Sequence, residues 1–249
     1  PNPHPDPTDP KNLEELIQTV LETGADVGFA YDGDSDRIGV VDNKGNILWG
    51  DRLMILLSRH LLTEEPGAAI VGEVKCSQTL FDDINAHGGR AILAKVGHSL
   101  IKARMKKEDA LLAGEMSGHI FFKHRYFGYD DAIYTTGRVL EVLTSHSQSL
   151  EELMSDVPVT HVTPELRVEC PDELKFPVVE ACVAKFKATH EVIDIDGARV
   201  LFDEGWGLVR ASNTQPVLVL RCEAQSAEGL ADIRATIEGT VAHEIAKRQ

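Results

Sequence analysis

This sequence lacks several features that would place it in common protein classes. No apolar run reaches the ~18 residues that a membrane-spanning helix needs. Its four cysteines are widely spaced and form no CxxC pair, which argues against zinc, and free buried thiols in a reducing cytosol are the simplest interpretation. Lysine and arginine number 25 against 40 acidic residues, and the resulting net charge of −15 argues against a nucleic-acid partner. A small phosphorylated ligand remains compatible with this charge, because a few converging cationic side chains can make one cleft positive.

The chain instead shows alternating helical and strand-like patterns. It begins with Pro1 rather than Met, in the proline-rich segment PNPHPDPTDP, for which we expect an extended connector. Short apolar strands then alternate with amphipathic helices up to about residue 145, which predicts an α/β domain with helices layered on a mixed sheet. From about residue 159 the order changes to strand, helix, three strands and a last helix, which is typical of a small open-faced α+β domain.

The sharpest motif is DGDSDR, which follows the predicted strand Val27–Tyr31. Its three carboxylates, Asp32, Asp34 and Asp36, stand at alternate positions, and a hard divalent cation is the simplest way to relieve their repulsion. An EF-hand is excluded, because its sixth and twelfth positions would hold Arg37 and Asn43 rather than Gly and Glu. A phosphatase with a nucleophilic aspartate after the strand is not excluded by spacing.

A second motif, GEMSGH, lies between two predicted strands. Its two glycines permit a tight loop, from which Glu115, Ser117 and His119 can converge on a polyol. The histidine can donate to a phosphate or move a proton. A polar hairpin without function is the competing interpretation.

A third motif, RASNTQP, offers several donors to one phosphate. Arg210 can bind an anion through two parallel hydrogen bonds, and Ser212, Asn213 and Thr214 add hydroxyl and amide groups. Arg221 lies on the strand that follows. An ordinary polar turn is the competing interpretation.

Two single residues are weaker candidates. Lys75 follows a predicted strand, and His98 stands at a predicted helix start, where backbone N–H groups favour an anion.

Together, DGDSDR, VGHSLIK, GEMSGHIFF and RASNTQPVLVLR, in this order, resemble the α-D-phosphohexomutase family, and the resemblance extends over essentially the whole chain. Members of that family interconvert hexose 1-phosphates and 6-phosphates through a 1,6-bisphosphate, using four domains around a cleft and a phosphoserine in the first. The resemblance implies the end of domain 2 over residues 1–48, domain 3 over 49–158 and domain 4 over 159–249. It also implies a cytoplasmic enzyme that is monomeric in its full-length form.

The resemblance assigns a role to each motif. The three aspartates of DGDSDR would hold Mg²⁺ beside the phosphoserine, with Arg37 next to the ion. Glu115 and Ser117 would read the sugar hydroxyls, and His119 would be the candidate acid/base. The remaining candidates would contact substrate, mainly through the non-transferring phosphate: Lys75, His98, Arg210, Ser212, Asn213, Thr214 and Arg221.

One departure from the family limits the expected activity. The nucleophilic serine of the family lies in a segment similar to Thr-Ala-Ser-His-Asn-Pro, and nothing in this sequence matches it. Phosphoryl transfer requires nucleophile, metal and substrate together, so we expect this chain alone to bind phosphosugar with negligible turnover. Two alternatives stay open: a phosphosugar-binding module without chemistry, and a magnesium-dependent phosphatase that uses Asp32.

Overall fold

A computed structural model describes residues 3–248 and divides the chain into two compact units, Pro1–Val157 and Pro158–Gln249. Pro1 and Asn2, the first residues of the expected connector, lie outside the described residues. Among residues 3–248, no helix is both long enough and apolar enough to cross a membrane. The predicted division into three domains stays a prediction.

The first unit opens with a capped helix and a small antiparallel sheet. The Asp9 side chain accepts a hydrogen bond from the Lys11 amide and starts a 3₁₀ turn with Pro10 in its first position, which leads into α1 (Glu14–Thr23). Gly24 ends α1 in the left-handed conformation. Strands β1 (Val27–Tyr31), β2 (Ile38–Asp42) and β3 (Ile47–Leu48) follow as an antiparallel sheet.

The rest of the first unit is a mixed sheet between helices. Its strand order is β5-β4-β6-β7, with β4 parallel to β5 and β6, and β7 antiparallel to β6. The strands are β4 (Ala69–Glu73), β5 (Arg90–Ala94), β6 (Leu112–Gly114) and β7 (Ile120–Phe122). The helices are α2 (Gly50–Glu64), α3 (Gln78–Ala86), α4 (His98–Glu108), α5 (Ala132–Ser145) and α6 (Leu150–Leu153).

Alternate residues of the strands pack on opposite faces of this sheet. Ile70 of β4 belongs to the core formed with α2, α3 and α5, whereas its neighbour Val71 packs with Ile101 and Met105 of α4. Both faces are therefore covered by helices, as the predicted layered α/β domain requires.

The second unit is an antiparallel sheet with two helices on one face. Strands β8 (His161–Val162), β9 (Leu166–Glu169), β10 (Val192–Ile193), β11 (Ala198–Phe202), β12 (Gly205–Ala211) and β13 (Val217–Ala224) form it, with β13 pairing both β8 and β9. Helices α7 (Asp172–Lys187) and α8 (Ala227–Ala246) pack on β11, β12 and β13. This is the predicted open-faced α+β arrangement.

Three details of the second unit differ from the prediction. The sequence predicts one strand over Thr163–Cys170, but Pro164 lacks the N–H that a continuous ladder needs, and two short strands form. The sequence predicts a helix over Phe176–Ala188 with Pro177 in its first turn, but α7 begins at Asp172 and Pro177 lies inside it. The three strands that the sequence predicts between α7 and α8 do not include β12, which carries Arg210; they are Glu191–Ile195, Ala198–Phe202 and Val217–Glu223.

Candidate functional site

The DGDSDR motif forms the loop of the β1–β2 hairpin. Tyr31 pairs with Ile38, so the six residues from Asp32 to Arg37 connect the two strands, and the Asp32 amide donates to the Arg37 carbonyl at 3.4 Å. Ser35 takes a left-handed φ of 62°, a conformation that glycine adopts more easily. Its carbonyl accepts a hydrogen bond from the Ala132 amide at the start of α5. The loop is therefore tied to the neighbouring helix.

The three carboxylates of this loop point at a common place. Oxygens of Asp32, Asp34 and Asp36 lie within 4.8 Å of one another. The Arg37 Nε donates to Asp32 Oδ2 at 2.7 Å, and its NH1 donates to Asp6 Oδ1 at 3.0 Å. Burial opposes ionisation of Asp32, but hydrogen bonds from Arg37 lower the pKa of that carboxyl below its usual value. Three oxygen donors this close fit a magnesium ion, and an arginine beside them keeps one donor ionised.

The pKa of Asp36 moves the other way. Burial raises the pKa of this carboxyl, and the charges of Asp32 and Asp34 add to that effect against the opposing charge of His119. Bringing a third negative charge into the loop therefore costs free energy. A bound divalent cation would remove that cost.

The GEMSGH loop connects β6 to β7 and meets the acidic hairpin directly. The Ile38 amide donates to the Gly118 carbonyl at 3.1 Å, and Arg37 and His119 form an antiparallel bridge. Gly118 has a φ of 91°, and a Cβ at this position would stand 2.5 Å from the Ile38 carbonyl oxygen. Only glycine permits this approach, which joins two motifs that are far apart in the sequence.

His119 lies at the junction of the two loops. Its Nδ1 is 3.1 Å from Glu115 Oε2 and 2.8 Å from the Ser117 hydroxyl, while its Nε2 is 3.4 Å from Asp36 Oδ1. Burial alone would lower the pKa of this imidazole, but the hydrogen bond and charge of Glu115, with the charges of Asp36 and Asp130, raise it above its usual value. A proton is therefore held on His119 more strongly than on a free histidine.

Glu115 is held by contacts of its own. Its Oε1 accepts a hydrogen bond from the Gly97 amide at 2.7 Å, so the carboxylate links the GEMSGH loop to the start of α4. Nearby, Lys75 Nζ is 3.6 Å from Glu73 Oε1, and the same oxygen accepts from the Met116 amide at 2.9 Å. Both predicted residues, Glu115 and Lys75, thus belong to the surroundings of the GEMSGH loop.

His98 also reaches this place, through an acidic residue that the sequence did not single out. Its ring stacks 6.0 Å from that of His119, and its Nδ1 is 3.3 Å from Asp130 Oδ2. Asp130 also accepts a hydrogen bond from Lys102 Nζ at 3.1 Å. Asp130 and Lys102 are thus additional members of the cluster. The only local signal was the pair Asp130-Asp131 before α5, which equally indicates a helix cap.

The third motif belongs to the second unit. Arg210 is the penultimate residue of strand β12, with its side chain only 5% exposed and its Nε 3.0 Å from Asp196 Oδ2. Ser212 is buried, and its hydroxyl accepts hydrogen bonds from the Thr214 and Gln215 amides at 3.3 and 3.2 Å. This turn leaves Asn213 and Thr214 exposed.

Further cationic groups surround that loop. Arg221 pairs with Leu208, two residues before Arg210, so both arginines lie on the same face of the sheet. Among the described residues, the Arg210 NH2 and Arg221 Nε atoms are buried without a hydrogen-bond partner. Lys175, which the sequence did not indicate, donates to the Gln215 carbonyl at 3.1 Å. Donor groups without partners on buried guanidinium side chains fit an anion as their missing acceptor.

The structure therefore brings the predicted residues of the first unit together, and gathers those of the second unit around one loop. In the first unit these are Asp32, Asp34, Asp36, Arg37, Lys75, His98, Glu115, Ser117 and His119. In the second unit they are Arg210, Ser212, Asn213, Thr214 and Arg221. The convergence of the two groups on one cleft stays a prediction.

Family profiles match nearly the whole chain. Domain II of phosphoglucomutase/phosphomannomutase, an alpha/beta/alpha domain, matches residues 1–45, and the alpha/beta/alpha domain III matches residues 49–160. The C-terminal domain of the same family matches residues 165–240.

Individual proteins agree with these profiles. The chain is 52% identical over 227 residues to a phosphomannomutase/phosphoglucomutase of Pseudomonas putida, covering 91% of this chain and 49% of that protein. It is 45% identical over 244 residues to a phosphoglucomutase of Neisseria gonorrhoeae, covering 97% and 53% of the two chains. A crystal structure of a phosphoglucomutase/phosphomannomutase family protein from Burkholderia thailandensis superposes with a TM-score of 0.88 and 40% identity, covering 98% of this chain and 52% of that one. The chain thus spans about half the length of the relatives it matches.

Proposed function

This chain belongs to the phosphoglucomutase/phosphomannomutase family, and we propose that it is the magnesium-binding and phosphosugar-binding portion of an enzyme that interconverts hexose 1-phosphates and 6-phosphates. The observation that carries the proposal is the junction of the acidic hairpin with the GEMSGH loop, where Asp36 and His119 lie 3.4 Å apart. A cation site and a protonated imidazole at this distance can act on the same phosphoryl group.

The roles within the first unit follow from the contacts. Asp32, Asp34 and Asp36 would hold Mg²⁺, which when bound would neutralise negative charge on the phosphoryl oxygens. Glu115 keeps the proton of His119 on Nδ1, and the raised pKa allows Nε2 also to carry a proton for the bridging oxygen of the sugar phosphate. Glu115 and Ser117 meet the sugar hydroxyls, with Lys75 and His98 at the edge of the same cluster.

The second unit supplies the grip on the other phosphate. Arg210, Ser212, Asn213 and Thr214 donate to its oxygens, and Arg221 adds a second guanidinium on the same sheet face. A Pseudomonas-type phosphomannomutase/phosphoglucomutase acts on both mannose and glucose phosphates by its name, and we propose both sugars for this chain. N-acetylphosphoglucosamine mutase structures from Aspergillus fumigatus, one in complex with GlcNAc-6P and magnesium and one with glucose 1,6-bisphosphate, support a phosphosugar as the proposed ligand.

The full catalytic cycle also needs the phosphoserine that this sequence does not contain. We therefore propose binding without turnover for the 249-residue chain. The four free cysteines are all buried, and burial raises the pKa of Cys182 to about 11, which keeps this thiol protonated and fits the proposed cytoplasmic location.

One observation weighs against the phosphatase alternative. Asp32, its only candidate nucleophile, accepts hydrogen bonds from the Arg37 Nε and from the Arg37 amide, at 2.7 and 3.2 Å. A carboxylate held on both oxygens is better suited to orienting a cation than to attacking phosphorus.

Calorimetric titration with glucose 1-phosphate in the presence of Mg²⁺ tests the proposal. We expect saturable binding by the wild-type chain, loss of binding in Arg210→Ala, and no change in Arg234→Ala, a control on the exposed face of α8. Equal heats for Arg210→Ala and wild type would contradict the phosphate-loop assignment. Robust conversion of mannose 1-phosphate by the purified chain would contradict the proposed lack of turnover.

A further inference from the structure

A second group of metal-ligand side chains lies between α2 and α5, apart from the acidic hairpin. His60 and Glu64 are one helical turn apart on α2, and Glu141 projects from α5, which packs against α2. One donor atom from each of the three side chains lies within 4.8 Å of the others. An imidazole with two carboxylates is a donor set that zinc and similar transition-metal ions use in proteins.

The state of His60 favours a ligand. Its Nε2 atom is buried and has no hydrogen-bond partner among residues 3–248. A ring nitrogen that is buried and lacks a hydrogen-bond partner is available to coordinate a metal ion.

A cavity gives access to this histidine. It has a volume of about 610 Å³ and is lined by His60, His87 and His146, among others. The His146 Nδ1 is 2.8 Å from the Val142 carbonyl, and the ring centroids of His60 and His146 are 6.4 Å apart, so His146 borders the group without belonging to it.

Two arginines set the limit on affinity. Arg125 donates to both carboxylate oxygens of Glu141, at 2.6 and 2.7 Å, and Arg138 Nε is 2.8 Å from Glu141 Oε2. A carboxylate has about four lone-pair positions, so it can accept from arginine and still coordinate an ion. The positive charges nevertheless reduce the attraction for a cation, which disfavours Mg²⁺ and Ca²⁺, whose binding rests on charge, relative to a nitrogen-seeking ion.

We propose that His60, Glu64 and Glu141 form a Zn²⁺ site that clamps α2 to α5. The site is independent of the phosphosugar site and of the proposed function. Its consequence is a zinc-dependent increase in the stability of the first unit, because the ion binds only the folded arrangement of the two helices.

The test uses the full chain in a His119→Ala background with saturating Mg²⁺. This background disrupts the other group that combines a histidine with two carboxylates, whose donor atoms also lie within 4.8 Å of one another: Asp36, His119 and Asp130. Calorimetric titration with ZnCl₂ and the thermal midpoint are then measured for the parent, for His60→Ala, for Glu64→Gln and for His87→Ala. His87 lines the cavity without belonging to the donor set, so its variant is the matched control.

We expect one zinc ion per parent chain and a higher thermal midpoint with zinc. The His60→Ala and Glu64→Gln changes should weaken the affinity by at least roughly tenfold, the lower end of the cost of perturbing a metal's ligand environment. His87→Ala should bind as the parent does. Glu64 is exposed, so Glu64→Gln keeps the test valid if His60→Ala does not fold. No zinc uptake by the parent, or equal affinity in all four proteins, would overturn the proposal.

Discussion

Replacing Gly118 by alanine tests the contact on which the candidate site depends. At a φ of 91°, an alanine incurs the cost of left-handed backbone, about 1–2 kcal/mol. Its Cβ would also stand 2.5 Å from the Ile38 carbonyl oxygen and 3.2 Å from the Ile38 nitrogen, both backbone atoms that have little freedom to move. Overpacking of this kind costs a further ~1–3 kcal/mol, so we expect a total loss of about 2–5 kcal/mol.

Gly88→Ala separates the two contributions. Gly88 has a φ of 79°, but a Cβ there would meet nothing within 4 Å, so only the backbone cost of about 1–2 kcal/mol applies. Urea unfolding of the first unit, followed by Trp49 fluorescence, gives both values, and hydrogen exchange of the Ile38 amide reports the bond to Gly118 directly. If Gly118→Ala were no less stable than Gly88→Ala, with Ile38 exchange unchanged, the close approach of the two loops would be refuted.

Three further predictions concern charge. Because the pKa of His119 is raised in the folded chain, its contribution to stability is complete below the unfolded pKa of about 6.5 and is lost as the pH rises through the folded pKa. Urea midpoints measured against pH should show this loss, and Glu115→Gln should make the midpoint depend less on pH. Arg210→Ala removes the guanidinium that lies 3.0 Å from the Asp196 carboxylate, and should lower the unfolding free energy of the second unit by about 1–3 kcal/mol, measured by Trp206 fluorescence. An unchanged midpoint would show that the pair contributes nothing. Asp34 is exposed, so Asp34→Asn should weaken Mg²⁺ binding at least tenfold by calorimetry while leaving the urea midpoint nearly unchanged, and unaltered affinity would remove Asp34 from the ligand set.

Local signals were sufficient for most of the architecture. Asp9, Pro10 and Gly24 mark the beginning and end of the first helical segment because capping and left-handed conformations depend on neighbouring residues. Most strands of both units were recognisable because a run of apolar residues is also a local pattern. Strand β12, which was not predicted, contains glycines at positions 205 and 207, and glycine is unfavourable inside a strand.

Gly205 and Gly207 are needed for close packing against neighbouring elements. A Cβ on Gly207 would stand 2.5 Å from Ile237 of α8, and one on Gly205 would stand 2.0 Å from the Glu223 carbonyl oxygen. Close packing between elements distant in sequence required the glycines, and no local pattern reports such packing.

In the candidate site too, residues within a local motif could be predicted from the sequence, and residues brought in from distant elements could not. The residue types in DGDSDR and GEMSGH indicated their chemistry, because acidic and glycine-rich clusters are visible in the sequence. Asp130 was not recognisable, since its contacts with His98 and Lys102 come from different elements and its neighbour Asp131 caps α5 in the ordinary way. Asp6 was missed for the same reason, because its partner Arg37 is distant in sequence.

The most direct test of the account is paramagnetic broadening by Mn²⁺ added in small amounts as a stand-in for Mg²⁺. Relaxation enhancement falls steeply with distance, so an ion held by the acidic hairpin must broaden the ring signals of His119, whose Nε2 is 3.4 Å from Asp36. We predict that His119 broadens among the first histidines, that excess Mg²⁺ reverses the effect, and that Asp34→Asn abolishes it. A sharp His119 signal while Mn²⁺ occupies the hairpin would contradict the claim that the cation site and the imidazole serve one reaction centre.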